Sequence, residues 1–474
     1  MAKSITTNSQ ILEYIALGAA FFQCMILFLA GDPDTEVELS IFFFVLLTLL
    51  VNNHYRGTRV HLWPLLTGFS FYTITLIFDI MVDLSYYYYY LTCLISLMIV
   101  YFFGTVENYQ QFVPSGRFTV GCKETMTKIS GNRLLLYYPV DKNLKGKTYK
   151  DMLWAYDGEH MIKGLMKFGA DLVPSGPFYY LLSVKQKVKF DAPIVKLSES
   201  DKHQGKFIPI IFSHGVGNTM SWFSTICKDL ASQGFIVFSI EHNDGSALHH
   251  FNDQKSHKYY KAFDMRDQNK IVTKLGVRLR EVNNLLDEMQ HITKTQLGEE
   301  VSLDMENLTV AGHGLGSTTA ISFASKDDRV KKIISLDPWL TPIKDEIENR
   351  TIIVKQPHCT ITSDMFQGNI PKNWDLTSKL YGDKQGNKNS LLSLLNEMGH
   401  LAFTDLPLIL QLELRMIMFT PSFAQVFRAQ ENLRLIIGVM KAFMIKNEMS
   451  KESGNYEELI KRLEGTKDVK FEVK

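Results

Sequence analysis

Two hydropathy regimes divide the chain. Between residues 11 and 103 four apolar runs follow one another, Ile11–Ala30, Leu39–Val51, Leu62–Phe78 and Leu84–Phe103. A helix that crosses a membrane needs about 20 apolar residues. The first and last runs meet that length, the third is marginal, and the second is short enough to be tilted, truncated or re-entrant. From about residue 117 the pattern changes to short β-branched runs separated by polar, amphipathic stretches. Leu134–Tyr138, Ile208–Phe212, Phe235–Ile240, Leu308–Ala311, Lys332–Leu336 and Thr351–Val354 read as strands, with helices over Gly217–Gln233 and Lys270–Ile292 between them. Strands that alternate with helices predict a mostly parallel sheet covered by helices on both faces, an α/β domain. Sites in such sheets form at the carboxyl ends of strands.

The loops between the apolar runs give the first region a topology. Asp32, Asp34, Glu36 and Glu38 follow the first run, and Asp79 and Asp83 lie before the fourth. Lys3, then Arg56 and Arg59, then Arg117, Lys123 and Lys128 mark the opposite side. Positive residues stay on the side from which a protein inserts, so about four transmembrane helices are expected, with both termini on the positive side, cytosolic or matrix. A removable signal peptide would account for one run and leave the others unexplained. Tyr86–Tyr90, five tyrosines in a row, suits either an aromatic belt at a membrane interface or a packing face. The expected organisation is a multi-pass region over 1–108, an α/β domain over 109–445 and a charged tail over 446–474.

Charge and cysteine content narrow the function classes. A formal net charge of +1 and the lack of a basic, aromatic-studded patch exclude nucleic acid as a partner. Cys24, Cys93, Cys122, Cys227 and Cys359 lie far apart, without Cys-x-x-Cys pairs or zinc-type His spacing, which fits reduced thiols. There is no Walker loop, and neither a metal nor a cofactor is expected.

The informative motif is Gly312-His313-Gly314-Leu315-Gly316, between the run Leu308–Ala311 and a helix opened by Ser317, Thr318 and Thr319. In lipases and esterases of the α/β-hydrolase fold this turn is Gly-x-Ser-x-Gly, and its strain lifts a serine hydroxyl to the tip of the sheet. Here the outer glycines stand and Gly314 takes the serine's position. Asp337 closes the strand ending at Leu336, and His400 follows in Met398-Gly399-His400. Nucleophile position, acid, histidine is the chain order of that fold. Ser213-His214-Gly215-Val216-Gly217, just past a strand, matches the loop that supplies an oxyanion-hole amide. Ser317 lies one helical turn beyond the elbow, too far to replace the missing hydroxyl.

The stretch from about Val120 to Leu406 resembles the platelet-activating-factor acetylhydrolases, the plasma and type II intracellular group. The likeness rests on Val120-Gly-Cys122, Arg133-Leu-Leu-Leu-Tyr-Tyr-Pro139, Phe212-Ser-His-Gly215, Asp229-Leu-Ala-Ser232, Gly234-Phe-Ile-Val237, Glu241-His242, Asp244, Ser246-Ala247, Leu336-Asp337 with Trp339, and His400 with Phe403 and Asp405. The resemblance implies that Gly314 stands for the nucleophile, Asp337 for the acid and His400 for the base. It also implies that Val216 and Leu315 would offer the oxyanion amides. Members of the family cleave short or oxidised sn-2 acyl chains from phospholipids without calcium. Trp154–Ala170, with Met161, Leu165, Met166 and Phe168 on one face, resembles the family's interfacial helix, and reads equally as a packing helix.

Without a hydroxyl at residue 314, His400 has nothing to activate and no acyl-enzyme forms. The leading expectation is therefore a membrane-anchored pseudoenzyme that serves as an accessory subunit of a multi-subunit membrane complex, with membrane lipids and other subunits as partners. Two alternatives stay open: a module that binds phospholipid without cutting it, and an active sn-2 ester hydrolase that uses an activated water or a nucleophile outside the elbow. Mitochondrial inner membrane is preferred to endoplasmic reticulum by association alone.

Overall fold

The computed structural model describes residues 3–30, 35–56, 59–78, 80–103, 112–141, 149–169, 175–198, 203–251, 256–370, 372–381, 388–411, 414, 428–449 and 455–473. They fall into a helical unit and a sheet unit.

The helical unit holds α1 (Lys3–Ala30), α2 (Thr35–Arg56), α3 (Trp63–Phe78) and α4 (Val82–Phe103). Ala16 and Ala20 of α1, Phe42 and Val45 of α2, Phe69 and Tyr72 of α3, and Tyr89 and Cys93 of α4 form its interior. Small residues let the helices approach: a Cβ on Gly68 would stand 1.9 Å from Thr92 Oγ1. Phe22, Phe43, Phe44, Leu47, Ile77 and Tyr101 are exposed, so the outer face is apolar as well. A bundle surrounded by water turns polar residues outward.

Among the described residues, two helical segments, Glu36–Asn53 and Leu84–Tyr101, are long and apolar enough to cross a membrane, and Glu13–Leu27 and Trp63–Phe78 are shorter apolar helices. The run expected to be short, Leu39–Val51, thus lies inside a 22-residue helix, because the polar residues at both its ends continue the helix. The tyrosine run divides between inside and outside. Tyr89 is buried and stacks on Tyr72 at 5.6 Å, the Tyr86 hydroxyl donates to Glu38 at 3.2 Å, and Tyr87 and Tyr88 are exposed. Two later segments also belong to this unit, 173–184 and 408–420 where described. There the Tyr180 hydroxyl donates to the Ile409 carbonyl at 3.2 Å, and the Arg59 guanidinium lies 4.6 Å from the Tyr180 ring centroid.

In the sheet unit the strands are β1 (Thr119–Met126), β2 (Arg133–Val140), β3 (Asp151–Leu153), β4 (Lys185–Phe190), β5 (Pro209–Ser213), β6 (Ile236–Ile240), β7 (His249–Phe251), β8 (His257–Tyr259), β9 (Thr309–His313), β10 (Lys332–Leu336), β11 (His358–Ser363), β12 (Leu391–Leu395) and β13 (Val469–Val473). Among the described residues one sheet runs β13-β12-β11-β10-β9-β5-β6-β2-β1-β4-β3, and β7 with β8 forms a separate hairpin. From β6 to β12 the pairing is parallel, and β2 and β13 flank that block antiparallel. Every residue of β5, β6, β9, β10 and β11 is buried, as parallel strands covered on both faces require. Helices α7 (Gln268–Leu297) and α8 (Leu315–Ala324) pack Val282, Leu285, Met289 and Ile321 onto the face that carries Ile211, Val310 and Ile333. On the other face, Phe212 meets Phe223 at 5.0 Å, at the start of α6 (Ser224–Ser232). This is the expected α/β-hydrolase arrangement.

Several local expectations shift. Thr351–Val354 forms no strand: Ile352 and Val354 are buried and Ile353 is 58% exposed. The segment anchors itself by side chains, and the ladder starts at His358, after Pro357. The helix expected from Gly217 begins as a 3-10 turn at Met220 and becomes α-helical at Ser224. Within Trp154–Ala170 only Glu159–Phe168 (α5) is helical, and residue 170 lies outside the described residues. Residues set apart as a charged tail carry the helix Tyr456–Glu464 and strand β13, so their described part is built into the sheet unit.

Candidate active site

The elbow between β9 and α8 is dictated by its outer glycines. A Cβ on Gly312 would lie 2.3 Å from the Gly316 backbone, and one on Gly316 would lie 2.0 Å from the Ser213 carbonyl oxygen. Gly314 sits between them at φ 54° and ψ −116°, a conformation that favours glycine. Its N–H donates to the Leu336 carbonyl at 3.0 Å, and its own carbonyl accepts from Trp339 N–H at 3.2 Å. These bonds tie the turn to the end of β10. A side chain on Gly314 would point at His400: its Cβ would stand 3.2 Å from both Cε1 and Nε2 of that ring, and 3.8 Å from Gly215 Cα.

Asp337 follows β10 in a left-handed turn, φ 43°, and is fully buried. Its carboxylate accepts from the Thr362 hydroxyl at 3.0 Å, the Ser363 amide at 2.6 Å and the Ser363 hydroxyl at 2.7 Å. His400 Nδ1 lies 3.2 Å from Asp337 Oδ2. With Nδ1 engaged there, Nε2 faces the elbow. The His400 ring is held between His313, at 4.0 Å, and Phe366, at 4.2 Å, yet its side chain keeps 35% exposure. Burial and the neighbouring His400 push the His313 imidazole well below its ordinary pKa. Neutral, it donates Nε2–H to the His400 carbonyl at 3.1 Å, fixing the backbone of the residue it stacks on.

The structure brings Gly314, Asp337 and His400 to one point. Leu315 is the first residue of α8, so its amide is at a helix N-terminus, where N–H groups lack intrahelical partners. Val216 lies in the β5 loop between Gly215, beside the elbow, and Gly217, whose N–H donates to the Ser246 carbonyl at 2.8 Å. Arg278 clamps this loop from below, donating to the His214 carbonyl, the Ser246 hydroxyl and Asp244 at 2.5, 2.5 and 2.9 Å. Burial opposes the charge on Asp244, yet the Arg278 guanidinium holds its carboxyl well below the usual range. Ser317 faces away from the site. Its Oγ lies 2.6 Å from the Gly312 carbonyl and 2.9 Å from that of Leu336, and accepts from Leu336 N–H at 2.9 Å. The Thr318 hydroxyl donates to the Trp339 carbonyl.

Sequence reasoning missed the clamps of this site: Thr362 and Ser363 on the acid, Phe366 and His313 on the histidine, Arg278 under the loop. Only His313 carried a signal, as the residue before Gly314. The rest lie on other elements and become visible when β10, β11 and α7 are assembled.

A model of the family described as platelet-activating factor acetylhydrolase, isoform II, matches residues 104–466. The chain belongs to that family. The acetylhydrolase of Canis lupus familiaris is 31% identical over 299 residues, 57% of this chain and 64% of the relative. That of Gallus gallus is 28% identical over 317 residues, 58% and 71%. A protein of Schizosaccharomyces pombe named putative phospholipase A2 is 27% identical over 124 residues, 26% of each chain. The match covers 64% and 60% of the length of the dog and guinea-pig acetylhydrolases. Among solved structures, a ferulic acid esterase from Streptomyces cinnamoneus superposes with a TM-score of 0.52 at 17% identity, over 76% of this chain and 98% of that one. The family match assigns residues 104–466 to the acetylhydrolases, and the solved structure shows the fold alone.

Proposed function

We propose that this acetylhydrolase-family chain is a pseudoenzyme, anchored in a membrane by its four N-terminal helices and serving as an accessory subunit of a membrane assembly. The observation that carries the reading is Gly314, which presents no hydroxyl to His400 at the elbow. A triad stripped of one member keeps only the small residual catalysis of its oxyanion hole and binding. The apolar outer face of the helical unit supports the anchor, with lipid as its surrounding.

The test is hydrolysis of an sn-2 acetyl phospholipid and of p-nitrophenyl acetate by the purified full chain. Turnover at the buffer rate is expected. Turnover that His400→Ala abolishes would overturn the reading and leave an enzyme that activates water.

A second reading, phospholipid held without cleavage, is favoured by the retained Asp337–His400 contact at 3.2 Å and the exposed edge of His400. Co-purified phospholipid, lost on filling the site with Gly314→Phe, would support it.

A further inference from the structure

Away from the elbow, three imidazoles from three elements converge. His160 stands in the first turn of α5, His249 on β7 and His257 on β8, and one donor atom of each lies within 4.8 Å of the others. His249 Nε2 and His257 Nδ1 are 2.8 Å apart, and the His160 ring stacks on His257 with centroids 3.7 Å apart. The remaining contacts orient these rings. His249, itself buried, has Nδ1 3.2 Å from an Asp157 carboxylate that is ion-paired to Arg133. His160 Nδ1 lies 2.7 Å from the Tyr259 hydroxyl, leaving Nε2 as its binding nitrogen.

We propose that His160, His249 and His257 form a binding site for a transition-metal dication, zinc(II) foremost. A set of neutral imidazoles without thiolate suits zinc, copper and nickel, whereas calcium and magnesium require oxygen ligands. Three protein ligands leave one tetrahedral position to water. Asp157 behind His249 is the outer-shell carboxylate that such ligands use to fix ring orientation and raise basicity. Donor atoms on a zinc ion with bonds of about 2.0–2.1 Å stand roughly 3.3 Å apart. Binding therefore opens the His249–His257 contact by about half an ångström and tilts His160 off its stack, and His257 ligates through Nδ1 as its neutral Nε2–H tautomer, the proton between the two rings moving to the exposed Nε2.

The ion would fasten α5 to the β7–β8 hairpin. That helix ends in Phe168, whose ring lies against Gly217 of the β5 loop and 5.0 Å from Tyr260. The site would thus steady the helix that covers the loop beside the elbow. His160 is too distant in sequence from His249 and His257 for local spacing to reveal the cluster.

The test uses the full chain in detergent, stripped with a chelator. Zinc(II) binding is followed by calorimetry, and cobalt(II) binding by its visible d–d absorption, which is intense only when the ion is four-coordinate. One ion per chain with a four-coordinate cobalt spectrum is expected. His257→Ala, at an exposed position, and His160→Ala should each weaken binding at least about tenfold. A second grouping, His313 with Asp337 and His400, also brings donors within 4.8 Å, so His400→Ala serves as the control and should leave binding unchanged. No zinc binding, binding indifferent to His257→Ala and His160→Ala, or binding lost with His400→Ala would each overturn the proposal.

Discussion

The ring of His400 lies 3.2 Å, through both Cε1 and Nε2, from the point where a Cβ on Gly314 would stand. A serine there would place its hydroxyl beside a base already oriented by Asp337. Gly314→Ser is expected to gain hydrolysis of p-nitrophenyl acetate, and the gain should vanish with His400→Ala added. A non-glycine residue in so sparsely populated a backbone region costs about 1–3 kcal/mol, so the unfolding midpoint should fall at the same time. A folded serine variant without turnover would mean that the oxyanion loop or the acyl site has changed as well.

How much of this was legible in the sequence depends on what fixes each residue. Gly312 and Gly316 were readable because backbone stands where their side chains would be. Asp337 and His400 were readable because each follows a strand or lies in a late loop in the order the fold uses. Thr351–Val354 misled because β-branched residues that bury alternate side chains look the same with or without a ladder partner. β13 was hidden because Val469–Val473 alternates apolar and charged residues at an edge, one face solvated, and resembles a charged tail. The clamps on His400 and the three-histidine cluster depend on contacts between elements distant in sequence.

Ser317 tests whether the second hydroxyl of the elbow region is structural. It links β9 to β10 through the Gly312 and Leu336 backbones while fully buried. Ser317→Ala leaves Leu336 N–H without that acceptor, and unsatisfied buried groups cost about 1–3 kcal/mol. A lower unfolding midpoint is expected, with the esterase activity of the Gly314→Ser chain retained per folded molecule. Loss of turnover at unchanged stability would give Ser317 a chemical role.

The buried pair Arg278–Asp244 supplies the pH dependence. The folded-state pKa of Asp244 lies below its unfolded value of about 3.9. Its stabilising contribution is therefore present above that unfolded value and is lost as pH falls through the folded pKa. Asp244→Asn strands the Arg278 charge and should cost about 3–5 kcal/mol near pH 7. The gap between wild type and variant should shrink as the solution is acidified below about pH 4. Unfolding midpoints followed by circular dichroism from pH 7 to pH 3 check this, and a constant gap would refute the linkage.

The edge strand β13 makes the last prediction. Leu395 and Leu394 of β12 face Val469 and Lys470 of β13, Val469 is buried, and Asn396 N–H donates to the Asp468 carbonyl at 2.9 Å. Asp468 is in turn bonded by Arg428 at 2.8 Å. Removing residues 466–474 would bare β12, whose Leu391, Leu392 and Leu395 are all buried. An uncovered apolar edge pairs with other chains. The truncated protein is expected to unfold at a lower temperature and to self-associate in light scattering, and Val469→Asp should move both readings the same way with the chain length intact. His400 follows β12 by a short turn, so the truncation should also reduce any turnover gained through Gly314→Ser. A truncated chain as stable and as monodisperse as the full one would show that β12 needs no cover on that edge.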